Sequence, residues 1–137
     1  MNIQHNEKGF TLIELIVVIA IMAIIGAVLV PQFATMSQRS RLSTDVSTVK
    51  TVQNQAEIYY ADNGEWPGST AADTISKLAS TSYLDHRYLS ASSIILQTSG
   101  AVVSYDTASH MLFLKVTSDD LNLYNKAADK SVWIRSN

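Results

Sequence analysis

The sequence predicts an α+β chain in which a long amino-terminal helix is packed on a small antiparallel β-sheet head. Three observations carry this. Residues 10–30 form an apolar run with a single charge, Glu14. Beyond Pro31 the apolar residues recur at helical spacing as far as Tyr59. After residue 92 come short β-branched and aromatic runs separated by turn residues, the pattern of a meander rather than of more helix.

The first half of the helix, residues 10–30, is apolar on every side and covers about 31 Å, enough for the hydrocarbon of a bilayer. An ordinary secretory signal has a shorter apolar region followed by small residues at a cleavage site. Here Pro31-Gln32-Phe33-Ala34 follow instead. Basic residues do not orient the span, since Lys8 precedes it while Arg39, Arg41 and Lys50 follow.

In the second half, residues 31–61, the side chains of Leu42, Val46, Val49, Val52, Ala56 and Tyr59 fall within an arc of roughly 140°. Asn63-Gly64 is a good helix end. The expected helix therefore runs from 10 to 61. Gly26 and Pro31 are its weak points, because an interior proline removes a hydrogen bond and predicts a kink near 27–31.

Residues 62–137 form the head. Residues 62–68 have turn chemistry, and Ser69 or Thr70 caps a short helix through about residue 79. Tyr83, Leu84, Tyr88 and Leu89 are expected to anchor the connecting region to the core. Strands are expected at 93–98, 101–106 and 111–116 as a three-stranded antiparallel meander. Ser118-Asp119-Asp120 can cap a helix through about 128, and residues 132–135 can add a fourth strand.

Composition narrows the functional classes. Net charge is −2 with a pI near 5.8, so no basic field invites nucleic acid, and no nucleic-acid partner is expected. With no cysteine, disulfides, thiolate catalysis and most structural zinc sites are excluded.

Lys8-Gly9-Phe10-Thr11-Leu12-Ile13-Glu14 followed by the unbroken apolar run resembles the type III signal of type IV pilins and of the related pseudopilins of type II secretion and DNA-uptake systems. Tyr59 to Pro67 also resembles the end of the long helix in that family. The resemblance implies the pilin fold and cleavage by a prepilin peptidase between Gly9 and Phe10. Residues 1–9 would then be a leader, and Phe10 would become N-methylphenylalanine. Removing nine of the 137 residues leaves 128.

The resemblance further implies a single-pass precursor in the cytoplasmic membrane and an inner-membrane assembly platform as partner. The end state is a homo-oligomeric helical filament, outside the cell as a pilus or in the periplasm or cell wall as a pseudopilus. Glu14 would pair with the terminal amine of Phe10 in a neighbouring subunit, setting axial register. Cleavage leaves that amine cationic near neutral pH, and pairing offsets the cost of a carboxylate in apolar surroundings. The residue-level alternative for Glu14 is an acid satisfied by water or by the positive end of its own helix. The family also implies that the helix can lose regular structure between Gly26 and Pro31, the alternative being a plain kink.

Other candidate sites read as structural. His86 and His110 lack any nucleophile elbow or oxyanion loop, so no enzyme activity is expected. Asp119 and Asp120, with Asp129, are weak calcium candidates, but their spacing lacks the alternating oxygen ligands of a calcium loop and fits helix capping. No cofactor is expected. Tyr59, Tyr60 and Trp66 are assigned to core packing, the alternative being that they line a filament surface. The leading function is a structural subunit of a type IV pilus. The alternatives are a major-type pseudopilin of a type II secretion or competence system, and a membrane-anchored domain that does not polymerise.

Overall fold

The computed structural model describes residues 9–90, 93–125 and 132–137. Its first element is the expected helix, α1, Leu12–Asn63, 52 residues long. The chain divides into two compact units, Met1–Met36 and Ser37–Asn137.

In the first unit, the aliphatic side chains of α1 have nothing over them. Ile13, Ile16, Ile19, Met22, Ile25 and Leu29 are all exposed. Gly26 and Pro31 lie inside the helix without interrupting it, and the Thr35 hydroxyl donates to the Pro31 carbonyl at 3.2 Å. A Cβ built at Gly26 would meet nothing within 4 Å. The isolated helix therefore has no steric need for glycine there.

The second unit is built on the expected stripe. Leu42, Val46, Val49, Val52, Ala56 and Tyr59 are buried and join Ile75, Leu78, Leu84, Ile94, Leu112, Leu114, Val116 and Ile134 in one core. The helix closes as its ending predicts. Gly64 takes φ +76 and its N–H donates to the Tyr60 carbonyl at 2.8 Å, the left-handed termination that glycine permits. At Gly68 a Cβ would sit 2.5 Å from the Thr74 nitrogen, so this close approach admits no larger residue. Helix α2, Ala71–Ser80, follows. The Thr70 hydroxyl accepts from the Asp73 N–H and donates to its carboxylate, a reciprocal cap.

Leu84 is buried and Tyr83 half-buried, with its hydroxyl donating to Asp62 at 2.8 Å and its ring edge-on to Tyr59. Tyr88 corrects the expectation of an anchor, being 41% exposed. It closes a short 3-10 turn, His86–Tyr88.

The sheet differs from the expected antiparallel meander in two ways. First, the segment at 93–98 does not join it. Ser93–Ile94 (β2) pairs with Leu89–Ser90 (β1) as a separate small hairpin. Gln97 and Thr98 instead donate their backbone N–H groups to the two carboxylate oxygens of Asp45 on α1, at 2.7 and 2.8 Å. A strand-like segment whose donors are satisfied by a side chain has less to gain from a ladder.

Second, the three-stranded sheet is mixed. Val102–Asp106 (β3) pairs antiparallel with Met111–Val116 (β4), but Ile134–Ser136 (β5) lies parallel to β4. The connection from β4 to β5 begins with helix α3, Ser118–Asn125, and a crossover of that kind returns the chain in the same direction. Together, α1, α2 and α3 with a small sheet make an α+β protein, as expected.

Gln53, also buried on α1, covers what β5 cannot reach. The Leu114 N–H donates to Trp133 O. Two residues earlier on the same side of β4, the Leu112 N–H donates to Gln53 Oε1 at 2.9 Å. The Gln53 amide nitrogen donates to the His110 carbonyl and to Glu57.

The β3–β4 turn carries a pH dependence. Asp106 accepts the N–H groups of Ala108 and Ser109 and lies 3.5 Å from Arg135. The Ala108 and Ser109 backbone bonds, followed by weaker help from Arg135, hold its carboxyl below the ordinary 3.8. A depressed folded-state value means the stabilisation is present above the unfolded value and is lost as pH falls through the folded one. The difference in melting temperature between the native chain and Asp106→Asn should therefore be constant above about pH 5 and shrink below about pH 4. A difference that does not change with pH would rule out the carboxylate as its source.

Candidate assembly site in the amino-terminal helix

Glu14 lies in the first turn of α1. Its Oε2 accepts the Thr11 N–H at 2.9 Å and the Thr11 hydroxyl at 2.8 Å, and the Glu14 N–H donates back to the Thr11 hydroxyl at 3.3 Å. This is a capping box, in which Thr-x-x-Glu satisfies orphan donors at the helix start. The residue-level alternative for Glu14 is thus present in the single chain. The box uses only one carboxylate oxygen, and the Phe10–Thr11 amide it depends on is not the Gly9–Phe10 bond.

Around the acid the surface is apolar. Phe10, Ile13, Glu14, Val17 and Val18 line an open hollow of about 330 Å³. Phe10 itself is 88% exposed, and nothing approaches Gly9 within 4 Å of where a Cβ would stand. α1 is also the one helix among the described residues long and apolar enough to cross a membrane. Gly9, Phe10 and Glu14 therefore share one exposed end of an apolar rod, with Gly26 and Pro31 further along it.

The remaining candidates resolve as structural parts. The Asp120 carboxylate accepts from the Thr117 hydroxyl at 2.7 Å, and the Asp120 N–H returns to the Thr117 oxygen. Thr117 is thus the cap of α3. Asp119 lies in the same first turn, and Asp129 lies outside the described residues. Among the described residues no three His, Asp or Glu side chains come together.

His86 sits between Asp85 and Arg87, which pair at 2.8 Å. His110, at φ +54, stacks on Trp66 at 4.9 Å, and Trp66 also stacks on Tyr60 at 4.7 Å. Tyr60 is 44% exposed, which corrects its assignment to the core, because it lies off the buried stripe of α1. The Nδ1 of His110 is bonded to the Tyr105 hydroxyl at 2.8 Å. This His110 stack, like Asp45 and Gln53, was not foreseen. The signal for the latter two was available: both lie in phase with the apolar stripe, where a polar residue implies a buried bond.

The family model "Prokaryotic N-terminal methylation motif" matches residues 4–30. A fimbrial protein of Neisseria meningitidis serogroup B is 30% identical over 126 residues, which is 92% of this chain and 70% of that one. The chain belongs to the type IV pilin family. This pilin is also 34% identical over 89 residues to the fimbrial protein EcpC of Eikenella corrodens, 65% of this chain and 58% of that one. With the type IV wide pilus major component PilA4 of Thermus thermophilus it shares 38% over 69 residues, 50% and 53% of the two chains. No solved structure gives a significant match. The relatives are structural proteins, so the pilin is a structural protein and not an enzyme.

Proposed function

We propose that this pilin is the structural subunit of a type IV pilus, made as a single-pass precursor and polymerised through residues 10–30 into an extracellular filament. One observation supports this above others. In the apolar window of α1 no side chain is buried, so that surface needs a cover at every stage. Lipid serves before assembly, and the equivalent helices of other copies serve afterwards.

The remaining steps are those that membership of the type IV pilin family suggests for the amino-terminal end. Prepilin peptidase removes residues 1–9 and methylates Phe10. An assembly platform in the cytoplasmic membrane then lifts the subunit from lipid into the filament. There the Glu14 carboxylate meets the Phe10 amine of a neighbouring copy, a contact that forms at one stagger and sets the register. Gly26, for which the single helix has no steric use, and Pro31 mark where the helix can yield to tight packing or tension.

The test is to shear filaments from cells and determine the amino terminus of this pilin in them. We expect a chain of 128 residues (the 137 less the nine of the leader) starting at N-methylphenylalanine, and accumulation of unprocessed chain in the membrane for Gly9→Val. Recovery only from membranes, with residues 1–9 attached, would overturn the proposal in favour of an anchored domain.

A further inference from the structure

The free edge of the sheet is β3, since the strand order is β3-β4-β5. On β4 the N–H groups of Leu112 and Leu114 point away from β3, toward Gln53 and Trp133. Bonding to β3 therefore falls to Met111, Phe113 and Lys115, which stand opposite Asp106, Ser104 and Val102. Val103 and Tyr105 turn their N–H and C=O groups outward, about 7 Å apart. Among the described residues these groups bond to no other segment. Elsewhere the molecule answers such groups with a side chain, as Asp45 and Gln53 show. Here it does not. Nor does β3, Val-Val-Ser-Tyr-Asp, carry the lysine, proline or bulge that blunts an edge.

Beside this edge there is room. An open groove of about 460 Å³ is lined by residues 69–72 at the start of α2 on one side and by Val103, Tyr105 and Thr107 on the other, so an incoming chain can reach the outward groups. We infer that this groove receives an extended, basic segment of a partner protein, added to the sheet as a further strand beside β3. Donors and acceptors at every second residue are what an extended backbone matches. Two folded heads cannot meet in this way. A second β3 would bring its own residues 69–72, and two such banks would compete for one groove. Charge selects the segment further. No Lys or Arg lines the groove, and Asp73, held beside it by the Thr70 hydroxyl, makes no ion pair among the described residues. A Lys or Arg on the incoming strand complements that carboxylate. This contact belongs to the head alone and stands apart from the filament.

The test pans random peptides displayed on phage against the full chain in detergent. A selected peptide, made synthetically, should carry Lys or Arg. It should slow hydrogen exchange at the Val103 and Tyr105 amides and leave that of Ser104, already paired with β4, unchanged. Methylating the peptide's backbone nitrogens one at a time should abolish binding at alternate positions only, the period of a strand. Val103→Pro removes an outward donor that the ladder does not use, and should weaken the peptide by about tenfold or more.

No enriched peptide, enrichment of peptides without a basic residue, equal tolerance of methylation at neighbouring positions, or native affinity for Val103→Pro would each overturn the docking site. So would protection of Val103 and Tyr105 in the chain alone that rises with its concentration, which would give the edge to a second copy. The methylation pattern is read on the native chain, so it decides the matter even if the proline variant does not fold.

Discussion

Glu14→Ala should leave Gly9–Phe10 cleavage intact and remove the pilin from sheared filaments, with yield falling by about a hundredfold or more. In the proposed filament each subunit would then bury a Phe10 amine with no counter-charge. Breaking a buried pair in this way costs about 3–5 kcal/mol, and the loss recurs at every subunit added. The precursor should insert into the membrane at least as well as before, because a charge has left an apolar segment.

The capping box supplies the control. Glutamine can replace glutamate at the third helical position and still serve the cap. Glu14→Gln therefore keeps the Thr11 bonds and loses only the charge. If the pairing governs assembly, the glutamine variant should fail just as the alanine variant does. If the cap alone mattered, glutamine would restore filaments. Normal yield from Glu14→Ala would sink the register role.

The second large effect is expected at Asp45, where Asp45→Ala should strip the head of one of its main attachments to α1. The change removes two charge-assisted bonds and leaves the Gln97 and Thr98 N–H groups without their acceptor. Hydrogen bonds to charged groups contribute about 1.5–3 kcal/mol each. Part of that is recovered as the loop relaxes, for a net loss of about 3–5 kcal/mol. For a head of this size, that lowers the melting temperature by roughly 15–25 °C. Thermal unfolding of the full chain in detergent, followed by near-ultraviolet dichroism, measures it. A melting temperature within about 3 °C of native would show that the clamp contributes little. The loss should also free residues 95–101, detectable as new protease cleavage there before global unfolding.

The parts of this fold set by local chemistry were legible in the sequence. The apolar stripe from Leu42 to Tyr59, the Gly64 helix end and the Thr70 cap all rest on neighbours within a turn or two, and all stand where expected. What escaped depends on distant partners. Ile94-Ile95-Leu96 has strand composition, but the fate of its neighbours Gln97 and Thr98 is decided by an aspartate 52 positions away. The direction of β5 follows from the path of the chain through α3 rather than from any pattern within residues 134–136. Tyr88 looked like an anchor because it is aromatic, yet the short 3-10 turn leaves it outside. Of the site, Gly9, Phe10 and Glu14 were legible because motif and apolar run coincide. The intrachain cap was written there too, as Thr11-x-x-Glu14.

Asp45 and Gln53 also bear on how a subunit comes to be correctly made. They sit eight positions apart on one uninterrupted helix, a separation of about 12 Å, and their acceptors meet N–H groups 52 to 59 positions further on. The β3–β4 hairpin pairs residues close in sequence, whereas docking onto α1 closes loops of 52 to 59 residues, at a greater cost in chain entropy. The helix thus serves as a ruler against which the head is seated. Its two polar marks accept the head in one alignment. A head slipped by a turn would leave a buried carboxylate and a buried amide unanswered at once. The two clamps therefore specify one seating of the head on its own helix.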